Sequence, residues 1–118
     1  MFTISLEQLR FHSPIGFYPE ERSLGNDFLI DVHIKLEEGN REITDLSDTI
    51  DYVQLYQIIK KEMSHESALI ETVAQKCISS IQKEWPNKIK GMELIIQKLH
   101  PQISGDVGSS KITFSKNF

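Results

Sequence analysis

Residues 28–36 read FLIDVHIKL, and this stretch decides the fold class because apolar and polar side chains alternate along it. Apolar side chains occupy every even-numbered position, whereas Asp31, His33 and Lys35 lie on odd-numbered ones. A period of two residues is that of a strand that buries one face. The stretch therefore predicts a β-strand whose even-numbered side chains pack in the core.

The sequence before this strand predicts a second, irregular strand. Residues 2–6 alternate in the same way, but the apolar parity switches after Leu6, because Leu9 and Phe11 continue it on odd-numbered positions. An extra residue produces such a switch, so a bulge or bend is predicted here. We expect the two strands to pair antiparallel. Residues 13–24 connect them, and a loop of this length in a compact domain tends to carry function.

The period of the apolar residues becomes helical after residue 51. Residues 51–63 carry apolar side chains at helical spacing, and Ser47 and Asp48 are the predicted caps of this first helix. Residues 70–85 carry the apolar face of a second helix, for which Ser67 is the predicted N-cap. Both patterns are amphipathic, so both helices should pack against a sheet.

The two-residue period returns near the C-terminus and completes the domain. Met92, Leu94 and Ile96 predict a third strand, and Ile112 with Phe114 predicts a fourth. The order strand, strand, helix, helix, strand, strand predicts an α+β fold, in which a four-stranded antiparallel sheet is covered on one face by the two helices between strands 2 and 3. We expect the other sheet face to be apolar. Assembly of several copies would then hide this face and the open sheet edges.

Composition narrows the classes of function. The 118 residues suffice for a single domain, residues 1–118, and the hydrophobic fraction of 39% is typical of a globular protein. The net charge of −4 argues against a nucleic-acid partner, since phosphate binding needs clustered Lys and Arg. The sequence has neither a basic leader nor an apolar stretch of about 18 residues, so we expect no membrane partner and a cytoplasmic location.

The sequence also argues against a metal centre. Cys77 is the single cysteine, which excludes an intrachain disulfide and a thiolate zinc site within one chain. The four histidines do not have the spacing of metal ligands. We therefore expect neither a metal nor a cofactor.

Four segments of the sequence resemble those of one known family. Residues 15–22 read IGFYPEER, residues 48–52 read DTIDY, residues 69–74 read LIETVA and residues 98–101 read KLHP. In this order and at this spacing, they resemble the dihydroneopterin aldolases, which are pterin enzymes of folate biosynthesis. One departure is Leu99, because many members of the family have proline at this position.

The resemblance implies both a fold and an activity. The fold is the tunnelling fold, in which such sheets assemble into a ring, so a homo-oligomer is implied, either a tetramer ring or an octamer of two stacked rings. The implied enzyme is a carbon–carbon lyase (aldehyde-lyase) that cleaves dihydroneopterin to 6-hydroxymethyl-dihydropterin and glycolaldehyde. The conjugated C=N bond of the substrate accepts the electrons released, so neither a lysine Schiff base nor a divalent metal is required.

The resemblance also assigns residues to a pterin site. It implies that Glu71 anchors the pterin through two parallel hydrogen bonds, assisted by the backbone beside Ile70. It implies that Lys98 binds the substrate and is catalytic, shuttling a proton through water. The residues alone leave plainer alternatives open, in which Glu71 is a solvated carboxylate in the first turn of a helix and Lys98 is a surface lysine at a strand end.

Three further residues belong to the implied site. Tyr52 and Glu21 are implied to be catalytic and substrate-binding, with Tyr52 holding the substrate hydroxyls and Glu21 positioning a water or the lysine. Val53 is implied to contact the substrate. Core packing is an alternative for Tyr52, and Glu21 could be a simple loop carboxylate. Because the family builds its pocket between neighbouring subunits, Tyr52 is implied to face a ligand held by Glu71 and Lys98 of the adjacent chain.

Two other functions remain open at the level of sequence. An epimerase of the same family, acting on dihydroneopterin or its triphosphate, would share the bond-cleaving step and then reclose the bond. The loop residues Glu20, Glu21 and Arg22 are acidic on balance, which favours the unphosphorylated substrate. A non-catalytic pterin-binding module would use Glu71 in the same way but would move no proton.

Overall fold

The structure is a computed structural model that describes residues 1–101 and 104–118. One antiparallel sheet has the strand order β1-β2-β3-β4, and these strands are Phe2–Ser13, Asn26–Leu36, Ile89–Leu99 and Ser109–Asn117. The helices are α1 (Pro19–Leu24), α2 (Tyr52–Met63) and α3 (Ile70–Glu84), and a short 3-10 helix spans Leu46–Asp48. The predicted α+β fold is confirmed, with α2 and α3 between β2 and β3. Helix α1 was not predicted.

The core lies between the sheet and helices α2 and α3. The even-numbered side chains of β2 from Phe28 to Leu36 are all buried, as predicted. The register places Leu94 opposite Val32, so the buried side chains of β3 join the same layer. The helices complete this layer with Leu55, Ile59 and Met63 from α2 and with Val73, Ala74, Cys77, Ile78 and Ile81 from α3. Each large aliphatic side chain buried in this way stabilises the fold by about 1.5 to 3 kcal/mol.

The predicted bulge in β1 is confirmed. The pairing of β1 with β2 shifts register between Leu6 and Leu9, and Gln8 has a positive φ of 57°. The backbone N–H of Gln8 donates to Oδ1 of Asp31 at 2.6 Å, so the bulged residue keeps a hydrogen-bond partner. Because of this shift, Leu9 and Phe11 pack against the core on the same side as Leu6.

The predicted cap of the first helix is wrong. Helix α2 begins at Tyr52, and its N-cap is Asp51, whose side chain accepts a hydrogen bond from the N–H of Val53 at 2.9 Å. The predicted caps, Ser47 and Asp48, belong to the separate 3-10 helix. Asp51 takes the role because a cap must lie directly before the first helical residue.

The predicted cap of the second helix is also wrong. Helix α3 begins at Ile70, and Leu69 occupies its N-cap position without a side-chain hydrogen bond. The hydroxyl of Ser67 instead donates to the carbonyl of Leu69 at 3.0 Å. The backbone of Ser67 pairs with the loop that follows β1, and this pairing holds it outside the helix.

The sheet face opposite the helices is not apolar, contrary to expectation. We call it the open face, and on β2 and β3 it presents the side chains of Leu29, Asp31, His33, Lys35, Glu93, Ile95 and Gln97. Most of these side chains are polar, so water can solvate this face. Hydrophobic burial of the open face therefore gives no reason for assembly.

The domain is elongated. Its radius of gyration is 15.6 Å and its principal extents are 54, 25 and 21 Å, whereas a compact domain of this length has a radius of gyration of about 13 to 14 Å. Strands β1 and β4 each pair with one neighbour within the chain, so both leave an outer edge. In the described part of the chain, no helix is long and apolar enough to cross a membrane.

His12 connects the end of β1 to the end of α1 and the start of β2. Its Nδ1 lies 2.9 Å from Oδ1 of Asp27, and its Nε2 lies 2.9 Å from the carbonyl oxygen of Leu24. Both partners are acceptors, so only the doubly protonated ring can donate to both. The hydrogen bonds with Asp27 and then with Leu24 raise the pKa of His12, and the bond with His12 lowers the pKa of Asp27.

These shifts predict how stability depends on pH. The pKa of His12 is raised in the folded chain. The contribution of His12 to the stability of the fold is therefore complete below its unfolded pKa of about 6.5, and it is lost as the pH rises through its folded pKa. Urea unfolding midpoints should therefore fall more for the wild type than for His12→Asn between pH 6 and 8. His65→Asn, which alters another exposed histidine, should follow the wild type. Parallel curves for the wild type and His12→Asn would contradict the prediction.

Candidate active site

A cavity of about 140 Å³ lies where β2 begins and β3 ends. Its walls come from the loop between β1 and β2, the loop between α2 and α3, and the first turn of α3. Three of the implied site residues, Ile70, Glu71 and Lys98, line it, and Phe28 closes it from the sheet. We call this the Glu71–Lys98 cavity.

Two loops that are distant in sequence form one wall of this cavity. Ile15 and Ser67 form an isolated parallel bridge. Within it, the N–H of Gly16 donates to the carbonyl of Ser67 at 3.0 Å, and the N–H of Ser67 donates to the carbonyl of Pro14 at 3.2 Å. Each loop therefore satisfies the backbone of the other, and together they form a continuous wall.

Arg22 binds both loops of the same wall. Its Nη1 donates to the carbonyl oxygens of Gly16 at 2.9 Å and Phe17 at 2.8 Å. Its Nε lies 3.3 Å from a carboxylate oxygen of Glu66, which is in the loop between α2 and α3. The guanidinium thus ties both loops together, and it turns the carbonyls of residues 16 and 17 toward itself.

Glu21 and Lys98 form an ion pair beside the cavity. Glu21 lies on α1 and is 4% exposed, although a glutamate is ordinarily solvated. Lys98 lies opposite Phe28 in the sheet and extends the buried face of β3. Its Nζ donates to Oε2 of Glu21. Glu21 is therefore a buried helix residue and not a simple loop carboxylate, while Lys98, near the end of its strand, is bound to it.

The surroundings of Glu21 favour its anionic form. Burial alone raises the pKa of this carboxyl, but hydrogen bonds from Lys98, Asn26 and the N–H of Tyr18 outweigh burial and hold the pKa below its ordinary value. Gly16 leaves the space that the Glu21 side chain occupies, because a Cβ at Gly16 would lie 2.4 Å from Cβ of Glu21. An alanine at position 16 would therefore displace the carboxylate from Lys98.

Glu71 lies at the rim of the cavity. It is exposed in the first turn of α3, and the described residues give its carboxylate no hydrogen-bond partner. Its oxygens are therefore free to accept hydrogen bonds from a ligand in the cavity. The position fits both the implied anchor and the alternative of a solvated carboxylate near a helix N-terminus.

Tyr52 and Val53 lie apart from this group. They start α2, they are 62% and 59% exposed, and neither is among the described residues that line the cavity. Core packing, the alternative for Tyr52, is therefore wrong. Tyr56 packs instead, with its ring stacked on Phe11 at a centroid distance of 5.8 Å. Within one chain, the structure brings together Glu21, Lys98, Glu71 and Ile70, but not Tyr52 and Val53.

Sequence reasoning missed Asn26 and Arg22 as site residues. Asn26 donates to the carboxylate of Glu21, and Arg22 holds the cavity wall. Both act on carbonyl or carboxylate oxygens that become neighbours only in the fold, so no periodicity marks them. Across the described residues, no three His, Cys, Asp or Glu side chains are grouped so as to hold a metal ion.

Comparisons of the sequence with known proteins point to one family. The family model described as dihydroneopterin aldolase matches residues 4–115. A dihydroneopterin aldolase of Streptococcus pyogenes serotype M18 is 30% identical over 107 residues, which cover 89% of this chain and 89% of that relative.

Solved structures agree with the sequence comparisons. The Escherichia coli dihydroneopterin aldolase in complex with neopterin has a TM-score of 0.83 at 15% identity, covering 99% of this chain and 100% of that one. A Burkholderia dihydroneopterin aldolase bound to guanine has a TM-score of 0.76 at 14% identity, covering 99% and 91%. At these identities the likeness shows the fold, which is the tunnelling fold that the resemblance implied.

Proposed function

Because the chain belongs to the dihydroneopterin aldolase family, a family of lyases, we propose that it cleaves dihydroneopterin to 6-hydroxymethyl-dihydropterin and glycolaldehyde. The observation that carries this proposal is the ion pair between the buried Glu21 and the half-buried Lys98, beside a cavity that has Glu71 at its rim. A carboxylate acceptor and a proton-handling pair are the two parts that a pterin aldolase needs. The reaction belongs to folate biosynthesis, and we propose that the protein acts in the cytoplasm.

Glu71 is the proposed anchor of the pterin ring. A pterin presents an exocyclic amino group beside a ring N–H, and a carboxylate can accept both hydrogen bonds in parallel. Neopterin and guanine, the ligands in the two related structures, share this donor edge. The backbone beside Ile70 lines the same cavity and would add to the recognition. Exposure at the cavity rim and the lack of a hydrogen-bond partner among the described residues support this role for the Glu71 carboxylate.

Lys98 and Glu21 are the proposed proton-handling pair. Removing the proton from the C2′ hydroxyl lets the C1′–C2′ bond break, which releases glycolaldehyde and moves the bonding electrons into the C=N bond of the ring. A proton must then be added to C1′ to complete the hydroxymethyl product. Lys98 passes these protons through water, and Glu21 holds its ammonium in position.

The dihydropterin ring acts as the electron sink, so neither a metal nor a lysine Schiff base takes part. Turnover should therefore survive dialysis against EDTA with unchanged kcat, measured as release of glycolaldehyde. A control dialysed without chelator sets the reference rate. If EDTA abolishes turnover and added divalent metal restores it, the proposed role of the ring is wrong.

One experiment tests the proposed function against its alternatives. The protein is incubated with dihydroneopterin, and the products are separated by chromatography. An aldolase yields 6-hydroxymethyl-dihydropterin and glycolaldehyde in equal amounts, whereas an epimerase yields a stereoisomer and no glycolaldehyde. A non-catalytic module would bind the pterin and leave it unchanged. Either of the last two results would reject the aldolase activity.

We also propose that the chain forms a homo-oligomeric ring, as a tetramer or as two stacked rings. The outer edges of β1 and β4 and the elongated domain support this, because edge-to-edge pairing would satisfy both edges. Exposed apolar side chains at the cavity, Phe17 and Leu69, and those at the start of α2, Tyr52 and Val53, offer further surfaces to bury. In such a ring, Tyr52 and Val53 of one subunit would complete the cavity of the next.

Subunit mixing tests this division of the site. Tyr52→Ala and Lys98→Ala should each be inactive alone, but when unfolded and refolded together they should form rings in which some interfaces carry two intact halves. Recovered glycolaldehyde release is the expected result. Each variant refolded alone is the control. Hybrid rings confirmed by mass spectrometry but without activity would reject the division, and a monomer in light scattering would reject the shared site.

A further inference from the structure

Asn26 makes two hydrogen bonds through one amide group beside the proposed site. Its Nδ2 lies 3.0 Å from Oε2 of Glu21 and 2.8 Å from the carbonyl oxygen of Ile15. A carboxylate and a carbonyl can only accept, so the NH₂ group must face both of them, and each of its hydrogens has one partner. The orientation of the amide is therefore fixed by its surroundings.

The two hydrogen bonds join separate parts of the site. Ile15 belongs to the cavity wall, whereas Glu21 belongs to the ion pair. The same oxygen, Oε2 of Glu21, accepts from both Asn26 and Lys98. Asn26 is the first residue of β2, so the sheet fixes its backbone where the cavity wall and the ion pair meet.

This sharing of Oε2 matters when Lys98 moves a proton. Lys98 must weaken its bond to Glu21 while it exchanges a proton with the water or substrate, and Glu21 is 4% exposed, so little solvent can replace the lost partner. A buried charge left without a partner is strongly destabilised. Among the described residues, Lys98 is the charged group that faces Glu21, while Arg22 beside it binds the wall and Glu66.

We propose that Asn26 is a positioning residue that holds the carboxylate of Glu21 in place while Lys98 transfers the proton. This inference rests on the proposed function for its kinetic part. It assigns to Asn26 an effect on the chemical step and a smaller effect on pterin binding, because Asn26 touches neither the rim at Glu71 nor the ligand space. In its secondary role, Asn26 supports the cavity wall through its hydrogen bond to the carbonyl of Ile15.

The first test measures the pH titration of Glu21 in the free protein by ¹³C NMR of its side-chain carboxyl. This measurement requires no turnover. Asn26→Leu keeps the volume and removes both donors, so Glu21 should titrate at higher pH than in the wild type. Asn26→Asp keeps the shape but adds a like charge, and it should shift the titration further in the same direction. Asn26→Gln keeps an amide and should restore much of the wild-type curve.

The second test is kinetic. Asn26→Leu should lower kcat about 10- to 100-fold, the loss expected for a hydrogen bond to a buried charge, with a change in KM of only a few fold. Arg22→Met is the matched variant, because it loosens the same wall without removing a donor from Glu21. It should act mainly on KM and leave the Glu21 titration unmoved.

The outcomes separate this inference from the proposed function. A wild type that does not cleave dihydroneopterin rejects the function, while the titration still decides whether Asn26 sets the state of Glu21. A Glu21 titration that is unmoved in both Asn26→Leu and Asn26→Asp overturns the inference. So does an equal loss of kcat in Asn26→Leu and Arg22→Met, since that result makes Asn26 a wall residue only. If Asn26→Leu does not fold, Asn26→Asp supplies both measurements.

Discussion

Replacing Lys98 with Met is expected to lower kcat by about 100-fold or more, the usual contribution of a positioned proton-transfer group. The thioether has nearly the length of the lysine stem but carries no proton, so the route between substrate and water is lost. The anchor at Glu71 remains, and pterin affinity should therefore change much less than turnover. Stopped-flow or steady-state glycolaldehyde release measures kcat, and a fluorescence titration with neopterin measures affinity.

Two controls make the Lys98 result interpretable. Lys83 lies in the exposed last turn of α3. Lys83→Met makes the same change in charge and composition as Lys98→Met, but it should leave turnover unchanged. Thermal unfolding must be recorded for both variants, because Lys98→Met leaves the buried carboxylate of Glu21 without its cation and destabilises the fold. A folded Lys98→Met protein that turns over at nearly the wild-type rate would remove this lysine from the mechanism.

Glu71→Gln is expected to weaken pterin binding by about 10- to 100-fold. One oxygen of the fork becomes an NH₂ group that faces a donor of the ring, and such a mismatch costs about 1 to 3 kcal/mol. Because the ground state and the transition state both use the anchor, KM should rise by a similar factor while kcat falls less. Titration of the free protein with neopterin measures the affinity directly.

The matched control for Glu71 is another exposed glutamate. Glu42→Gln, in the loop after β2, removes the same charge away from the Glu71–Lys98 cavity and should leave affinity unchanged. This comparison separates a specific fork from the general effect of net charge. Unchanged affinity in Glu71→Gln would leave the solvated-carboxylate interpretation of this residue in place.

Sequence periodicity predicts most of this fold because most of its elements are long and half-buried. The alternation in residues 28–36 and the parity switch after Leu6 correspond directly to β2 and to the bulge in β1. Helix α1 escaped prediction because its six residues show no apolar period, and only Pro19 at its first position marks its start. The polar open face was misjudged, although Asp31 and His33 already indicated its character.

The site could be predicted only in part, because its geometry depends on contacts between distant residues. Resemblance implied that Glu21 positions a water or Lys98, but the direct ion pair joins residues 77 positions apart and forms only when β3 completes the sheet. Asn26 carries no sequence signal, since its partners are single oxygens on other elements. In the proposed ring, Tyr52 makes its contacts with a neighbouring chain, so no pattern within one chain predicts them.

Because of the bridge between Ile15 and Ser67, the cavity wall exists only when two loops far apart in sequence have met. Closing the long loop between these two segments is entropically unfavourable until β1 and the helices have docked. An intermediate with a formed sheet and an open bridge would therefore have no competent pterin site. Only the native state of the chain should bind pterin. By mass action, pterin at concentrations above its Kd should therefore raise the unfolding temperature in proportion to the logarithm of the pterin concentration.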